Sequence, residues 1–254
     1  MKEKLPLSVA IITKNEAKNI FDCLQSVAFA KQIVIVDSGS DDETIKIAKA
    51  FGCNIYTNPW NGFGAQKQVA IDYCEEEWIL LLDADERVSP EMAEQIKDIV
   101  SGTGNADGYS FPRKNFFCGR WIKHAGWWPD RVVRLFKRGY GQMSNATVHE
   151  AIVVRGVVEN LACPIEHYTE SSLSGIIQKI DRYSSLSANE AYMQGKRSSI
   201  ICAVLRAVIA FFHNYILRAG LLDGTPGLII ATTDAINKFF KYAKLNQLNK
   251  EKHC

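Results

Sequence analysis

Three carboxylates within four residues, Asp83, Asp85 and Glu86, follow the apolar run Trp78-Ile79-Leu80-Leu81-Leu82. The run is too short to span a membrane and fits a central parallel strand covered on both faces. Ligands of open α/β sheets bind just beyond the carboxyl ends of such strands. In an extended segment Asp83 and Asp85 point one way and Ala84 the other. Two like charges held side by side in a partly dry site call for a cation between them. The stretch reads as a divalent-metal site or, more plainly, as a strand end entering a solvated turn.

Other stretches carry residues of the same kind. Asn58-Pro59-Trp60-Asn61-Gly62-Phe63-Gly64-Ala65-Gln66-Lys67 is a glycine-rich loop that opens a helix. Its backbone at Gly64, the helix N-terminus and Lys67 suit an anion such as a diphosphate, although a plain connection has the same composition. His149-Glu150 lies between β-rich runs and can supply a general base or form a surface pair. His167, after Glu166, reads equally as a structural histidine or a ligand. From Arg113 to Arg131 aromatic and basic residues interleave around glycines, which fits a surface for sugar rings or phosphates and also a loop packed on its own tryptophans.

The elements that position these residues follow from apolar periodicity. Leu7–Thr13, Gln32–Asp37 and Cys53–Thr57 read as strands separated by helices whose apolar residues recur at helical spacing. Ser40 and Glu43 form a capping box for the second helix, and Ser89-Pro90-Glu91 starts a later one. This β-α-β-α-β order predicts a parallel, right-handed sheet. Ala151–Val158 reads as one further strand-like run.

The end of the chain is helical over Leu173–Met193, Ile200–Leu217 and Leu228–Leu248. From Lys196 onward nine basic residues face three acids, whereas the whole chain carries only +2. That excludes a general polyanion binder, and no nucleic-acid partner is expected. Basic amphipathic helices of this kind lie on an anionic membrane surface or pack against the domain or a second subunit. No stretch reaches the length of a transmembrane helix. Seven cysteines without a Cys-x-x-Cys pair indicate reduced thiols in a cytosolic setting. Met1-Lys2-Glu3-Lys4 before an apolar run has the start of a signal peptide but no small-residue cleavage site, so it reads as leading into a first strand.

Taken together, Thr13-Lys14-Asn15-Glu16, Val36-Asp37-Ser38-Gly39-Ser40-Asp41-Asp42-Glu43-Thr44 and Asp83-Ala84-Asp85 resemble the family-2 glycosyltransferases of GT-A fold. Gly126-Trp127-Trp128-Pro129-Asp130, Arg134-Leu135-Phe136, Val148-His149-Glu150 and Leu221-Leu222-Asp223-Gly224 extend the likeness to bacterial glucosyltransferases of the lipopolysaccharide inner core. The resemblance implies an α/β, Rossmann-like, mostly parallel central sheet flanked by helices. It implies a nucleotide-sugar-binding and catalytic domain over 1–170 and a C-terminal amphipathic helical region over 171–254.

The implied activity is inverting, metal-dependent transfer of a hexose, glucose by the likeness, from a UDP-sugar to a glycolipid or oligosaccharide acceptor. By motif, Thr13, Asn15 and Glu16 border the base and ribose and Asp37 contacts the uracil. Gly64, Lys67, Asp83 and Ala84 belong to the donor site. Asp85, with Asp83 and His167, ligates Mg²⁺ or Mn²⁺. Glu150 takes the place of the catalytic carboxylate, with His149 beside it as the other candidate base. The expected location is the cytoplasm, peripheral on the inner membrane, with homo-oligomer contacts through the C-terminal helices as a further option. A transferase acting on a polyprenyl-phosphate or capsule intermediate uses the same donor residues. A sugar-nucleotidyltransferase would need a glycine-rich basic first loop, which Thr13-Lys14-Asn15-Glu16 is not.

Overall fold

The structure is a computed structural model that describes residues 4–144, 150–169 and 172–251. Its elements run β1 (Leu5–Thr13), α1 (Ile20–Ser26), β2 (Ala30–Asp37), α2 (Thr44–Ala50), β3 (Asn54–Thr57), α3 (Phe63–Asp72), β4 (Trp78–Asp83), β5 (Glu86–Val88) and α4 (Pro90–Asp98). Then follow β6 (Gly108–Phe117), β7 (Arg120–Trp121), β8 (Asp130–Lys137), β9 (Gly141–Met143), β10 (Ile152–Val154), β11 (Val158–Asn160) and β12 (Ile165–Tyr168). The helices α5 (Leu173–Met193), α6 (Ile200–Phe212) and α7 (Thr225–Glu251) complete the chain. Two compact units result: Met1–Lys114 with Asp130–Tyr168, and Asn115–Pro129 with Thr169–Cys254.

In the first unit the strands order as β3-β2-β1-β4-β8-β6-β12-β5. The first four are parallel, as the alternation of strands and helices predicts, and the sheet turns antiparallel where β8 pairs β4. Leu7, Val9, Ile11, Ile35, Leu80 and Leu82 are fully buried on one face with α1 and α4, while Ala10, Val34, Ile79 and Leu81 are buried on the other with α3. Two-sided burial is why these strands read as continuous apolar runs and not as alternating ones.

Register decides what reaches the carboxyl edge. Thr13 pairs with Asp37 and Ile12 with Asp83, so the acids that end β2 and β4 flank the end of β1. β12 runs antiparallel to β5 with His167 opposite Glu86, which brings a residue from late in the chain beside the acidic stretch.

Several local expectations change. Asp83-Ala84-Asp85-Glu86 does not continue the strand: β4 ends at Asp83, Ala84 and Asp85 form a turn, and β5 starts at Glu86. Ala84 is buried in the core. The capping box of α2 is absent, because the Ser40 hydroxyl donates to Asp37 and the helix starts after Glu43 without a side-chain cap. By contrast Ser89 caps α4 by accepting from the Met92 amide at 3.2 Å. The single run Ala151–Val158 divides into β10, paired with β9, and β11, paired with β6.

In the second unit, Phe116 and Phe117 of β6 pair with β7, and the basic, aromatic loop after them is tied down. Asp223, 1% exposed, accepts from the backbone amides of Lys123 (3.3 Å) and His124 (2.9 Å) and lies 3.1 Å from His124 Nδ1. Ile122, Ala125 and Phe117 are buried with Ile230 of α7, and Trp127 packs against them. The loop is therefore packed on its own aromatics.

Helix α7 packs along α5 and α6. One lysine of its basic face is taken up by packing: Lys244 Nζ donates to Asp181 Oδ1 (2.7 Å), Ser184 Oγ (2.9 Å) and Ser185 Oγ (2.7 Å) of α5. Burial, with Lys238 nearby, pushes the Lys241 ammonium down from its usual range. Against the expectation from length, Ile200–Leu217, which is α6 plus a π-helical turn over His213–Leu217, is 18 residues long and apolar enough to cross a membrane.

Candidate active site

The acids at the carboxyl edge lie in the first unit and differ sharply in their partners. Asp37, 3% exposed, accepts four hydrogen bonds: from Thr13 Oγ1 (2.9 Å) and Ser40 Oγ (2.5 Å) on Oδ1, and from the Gly39 (2.8 Å) and Ser40 (2.7 Å) amides on Oδ2. Burial alone would raise its pKa, but the donors of Ser40, Thr13 and Gly39 outweigh it and hold the carboxyl below the usual range. Four donors fill the acceptor capacity of a carboxylate. Asp37 thus folds the loop that follows β2.

Asn15 and Glu16 lace the neighbouring loop to it. Asn15 adopts φ 56°, a left-handed backbone that asparagine tolerates well. Its amide donates to Ser40 Oγ (2.8 Å) and its side-chain oxygen accepts from the Asp41 amide (2.9 Å). The Glu16 amide donates to Thr44 Oγ1 (2.8 Å), and Glu16 Oε2 accepts from Asn19 Nδ2 (2.8 Å). Thr13, Asn15, Glu16 and Asp37 therefore converge at adjacent strand ends.

Asp83 sits between two cations of the chain. Lys67 Nζ lies 2.8 Å from Oδ1 and Arg134 Nη2 lies 2.6 Å from Oδ2. Burial opposes ionisation, yet Lys67 and then Arg134 overcome it and hold the Asp83 pKa far below the usual range. Arg134, 5% exposed, also donates to Glu86 Oε1 at 2.5 Å, and Glu86 is fully buried. Glu86 Oε2 in turn accepts from the Asp83 amide at 3.1 Å. Arg113 stands 3.8 Å from Glu86 and pairs with Asp130. Buried charges require partners of this quality.

Asp85 faces elsewhere. Its Oδ2 is 3.4 Å from His167 Nε2, and both side chains keep some exposure. The Tyr168 amide donates to the Asp85 carbonyl at 2.9 Å, which fixes β12 against the turn. Among the described residues no group of three or more His, Cys, Asp or Glu converges as a ready-made metal cage. Asp85 fits a hard cation bound in part by a ligand's phosphates, because such an ion takes only one or two protein carboxylates and completes its shell with phosphate and water oxygens, and the His167 imidazole beside it suits a first-row ion such as Mn²⁺ better than Mg²⁺. Adjacent ligands of one such ion stand about 3 Å apart, close to the separation of this pair.

Glu150 comes within reach of the same lysine. Its Oε1 lies 3.9 Å from Lys67 Nζ. Gly64, in the first turn of α3, lies beside it: a Cβ there would stand 3.6 Å from the Glu150 Cβ, an ordinary packing distance. Lys67 is thus 7% exposed and shared by two carboxylates. His149 lies outside the described residues. The residue that sequence reasoning left without a role at this site is Arg134; an arginine within the apolar strand Val132-Val133-Arg134-Leu135-Phe136 was the available signal.

Comparison with known proteins gives this arrangement a context. The family model described as Glycosyl transferase family 2 matches residues 8–162. The lipopolysaccharide core biosynthesis glycosyltransferase LpsC of Rhizobium meliloti is 30% identical over 97% of this chain and 94% of its own. A glycosyltransferase of Rickettsia bellii is 29% identical over 96% of this chain and 87% of its own. Among solved structures, S. aureus TarS 1-349 in complex with UDP-GlcNAc covers 97% of this chain and 92% of that one, at 14% identity and a TM-score of 0.49.

Proposed function

The chain belongs to glycosyl transferase family 2, and we propose that it moves a hexose, glucose in our reading, from a UDP-sugar to a saccharide of the lipopolysaccharide inner core, inverting the anomeric carbon. The observation that carries this reading is the gathering of Asp85, His167, Asp83, Lys67 and Glu150 at one sheet edge, with Lys67 within 4 Å of both Asp83 and Glu150. The relative named for lipopolysaccharide core biosynthesis, similar over nearly the full length, supports the acceptor class.

Transfer requires charge to be taken up at the leaving diphosphate and a proton to be removed from the incoming hydroxyl. Asp85 and His167 would hold a divalent cation, Mg²⁺ or Mn²⁺, which offsets the diphosphate charge when bound. Asp83 is engaged on each oxygen by Lys67 and Arg134, so in this reading its part is to fix those cations and the turn, and Asp85 with His167 is the ligand pair. Glu150, an anion at the same edge, accepts the acceptor's proton as the new bond forms. Thr13, Asn15, Glu16 and the loop folded by Asp37 border the base and ribose. The acceptor's class implies contact with the inner membrane.

Turnover with UDP-, ADP- and GDP-sugars, an inner-core oligosaccharide as acceptor, and a chelator control tests this reading, with the product anomer assigned by NMR. Cation-dependent use of UDP-glucose giving the β-anomer is expected. Retained configuration, or turnover unchanged by the chelator, would overturn the inverting or metal-dependent part.

A further inference from the structure

Helix α6 is built inside out for a soluble protein. Ile201 is 70% exposed, Leu205 57%, Ile209 65%, Phe212 56% and Leu217 78%, and only 11% of the segment Ile200–Leu217 is buried. These side chains recur at the spacing of one helical face. The opposite face is fixed by α7 in the same unit: Ala203 is buried, the Arg206 guanidinium lies 4.4 Å over the Tyr242 ring, and Asn214 Nδ2 donates to Asp234 Oδ2 at 2.8 Å. The small and polar residues of α6 therefore face its neighbour, and the large apolar ones face outward.

The charge around this face is of one sign. From Ala191 to Leu222 the sequence contains no Asp or Glu, while Lys196 and Arg197 precede the helix and Arg218 follows it. All three are exposed. We propose that α6 lies in the plane of an anionic bilayer, its apolar face among the acyl chains and Lys196, Arg197 and Arg218 at the headgroups.

Two other occupants fit less well. A transmembrane pose would carry Arg206 and the adjoining Asp234, Lys238, Lys241 and Lys244 of α7 into hydrocarbon, where charges are expensive. Pairing with α6 of a second copy would bring cationic ends together in either orientation, with no acid on that stretch to offset them. The inference supplies the membrane contact of the proposed transferase with a specific element, and its test does not depend on transfer.

The test is co-sedimentation of the full chain with vesicles of phosphatidylcholine alone or mixed with phosphatidylglycerol. Binding is expected to the mixed vesicles, with a loss of roughly tenfold or more in Leu205→Glu with Ile209→Glu. Lys196→Gln with Arg197→Gln, at two exposed positions, should remove the preference for phosphatidylglycerol, whereas Lys238→Gln with Lys241→Gln should not. Circular dichroism and UDP binding report on folding in each variant. Unchanged co-sedimentation in Leu205→Glu with Ile209→Glu would overturn the proposal. So would light scattering that shows a dimer dissolved by those substitutions without any vesicle binding. Failure here would leave turnover on a soluble oligosaccharide acceptor untouched, so the two proposals fail separately.

Discussion

Lys67 holds its ammonium 2.8 Å from Asp83 and 3.9 Å from Glu150, so one buried cation links the acid that ends β4 to the carboxylate assigned as the base. A lysine so placed sets the relative position of the two acids. Lys67→Met should reduce transfer by about tenfold to a hundredfold and raise the donor KM less than it lowers kcat. Steady-state kinetics with UDP-glucose decides it, and a pure KM effect would mean that Lys67 serves donor binding alone.

Arg134 is the structural counterpart of Lys67. Removing it strands Asp83 and the fully buried Glu86 without their common partner. Breaking a buried pair from one side costs about 3–5 kcal/mol. Urea unfolding should show a loss of that size for Arg134→Met and a partial recovery when Glu86→Gln is added. Equal stabilities of the single and double variants would contradict the pairing.

Asp85 and Asp83 should behave differently despite their spacing. Asp85→Asn, at a turn with an exposed edge, should weaken UDP binding in the presence of Mn²⁺ and leave binding in chelator unchanged. Asp83→Asn should lower stability, since it leaves Lys67 and Arg134 facing a neutral amide. Calorimetric titration with and without Mn²⁺ separates them. A cation dependence that survives in Asp85→Asn and disappears in Asp83→Asn would reverse the assignment.

Asp37 supplies a pH signature. Its folded-state pKa is held below the usual aspartate range by hydrogen bonds from Ser40, Thr13 and Gly39 acting against burial. A depressed carboxyl pKa contributes stability that is present above the unfolded value and is lost as pH falls through the folded one. Asp37→Asn should therefore lower Tm at neutral pH, by the equivalent of about 1–3 kcal/mol, and should narrow the gap from wild type below pH of about 4. A constant offset across pH would contradict the carboxylate's role.

Much of the scaffold was legible because its causes are local. Two-sided burial wrote β1, β2 and β4 as apolar runs, and the acids Asp37 and Asp83 marked their carboxyl ends. The helix Leu173–Met193 has the bounds its periodicity predicts. What escaped the sequence depends on distant pairing. The turn at Ala84-Asp85 exists because β5 joins β12, about eighty residues away, and that pairing separates the environments of Asp83 and Asp85. The Arg134 link arises in β8 by the same kind of contact. Ser40 looks like a helix cap but is claimed by Asp37. For α6, periodicity identifies an apolar stripe without saying whether it faces protein or the outside.

The transfer chemistry rests on Glu150, and one measurement tests it most directly: UDP release from UDP-glucose in the presence of acceptor, compared between wild type and Glu150→Gln, with UDP affinity measured on the same samples. Loss of at least about a hundredfold in transfer with UDP affinity retained is the expected result. Wild-type transfer by Glu150→Gln would contradict Glu150 as the base.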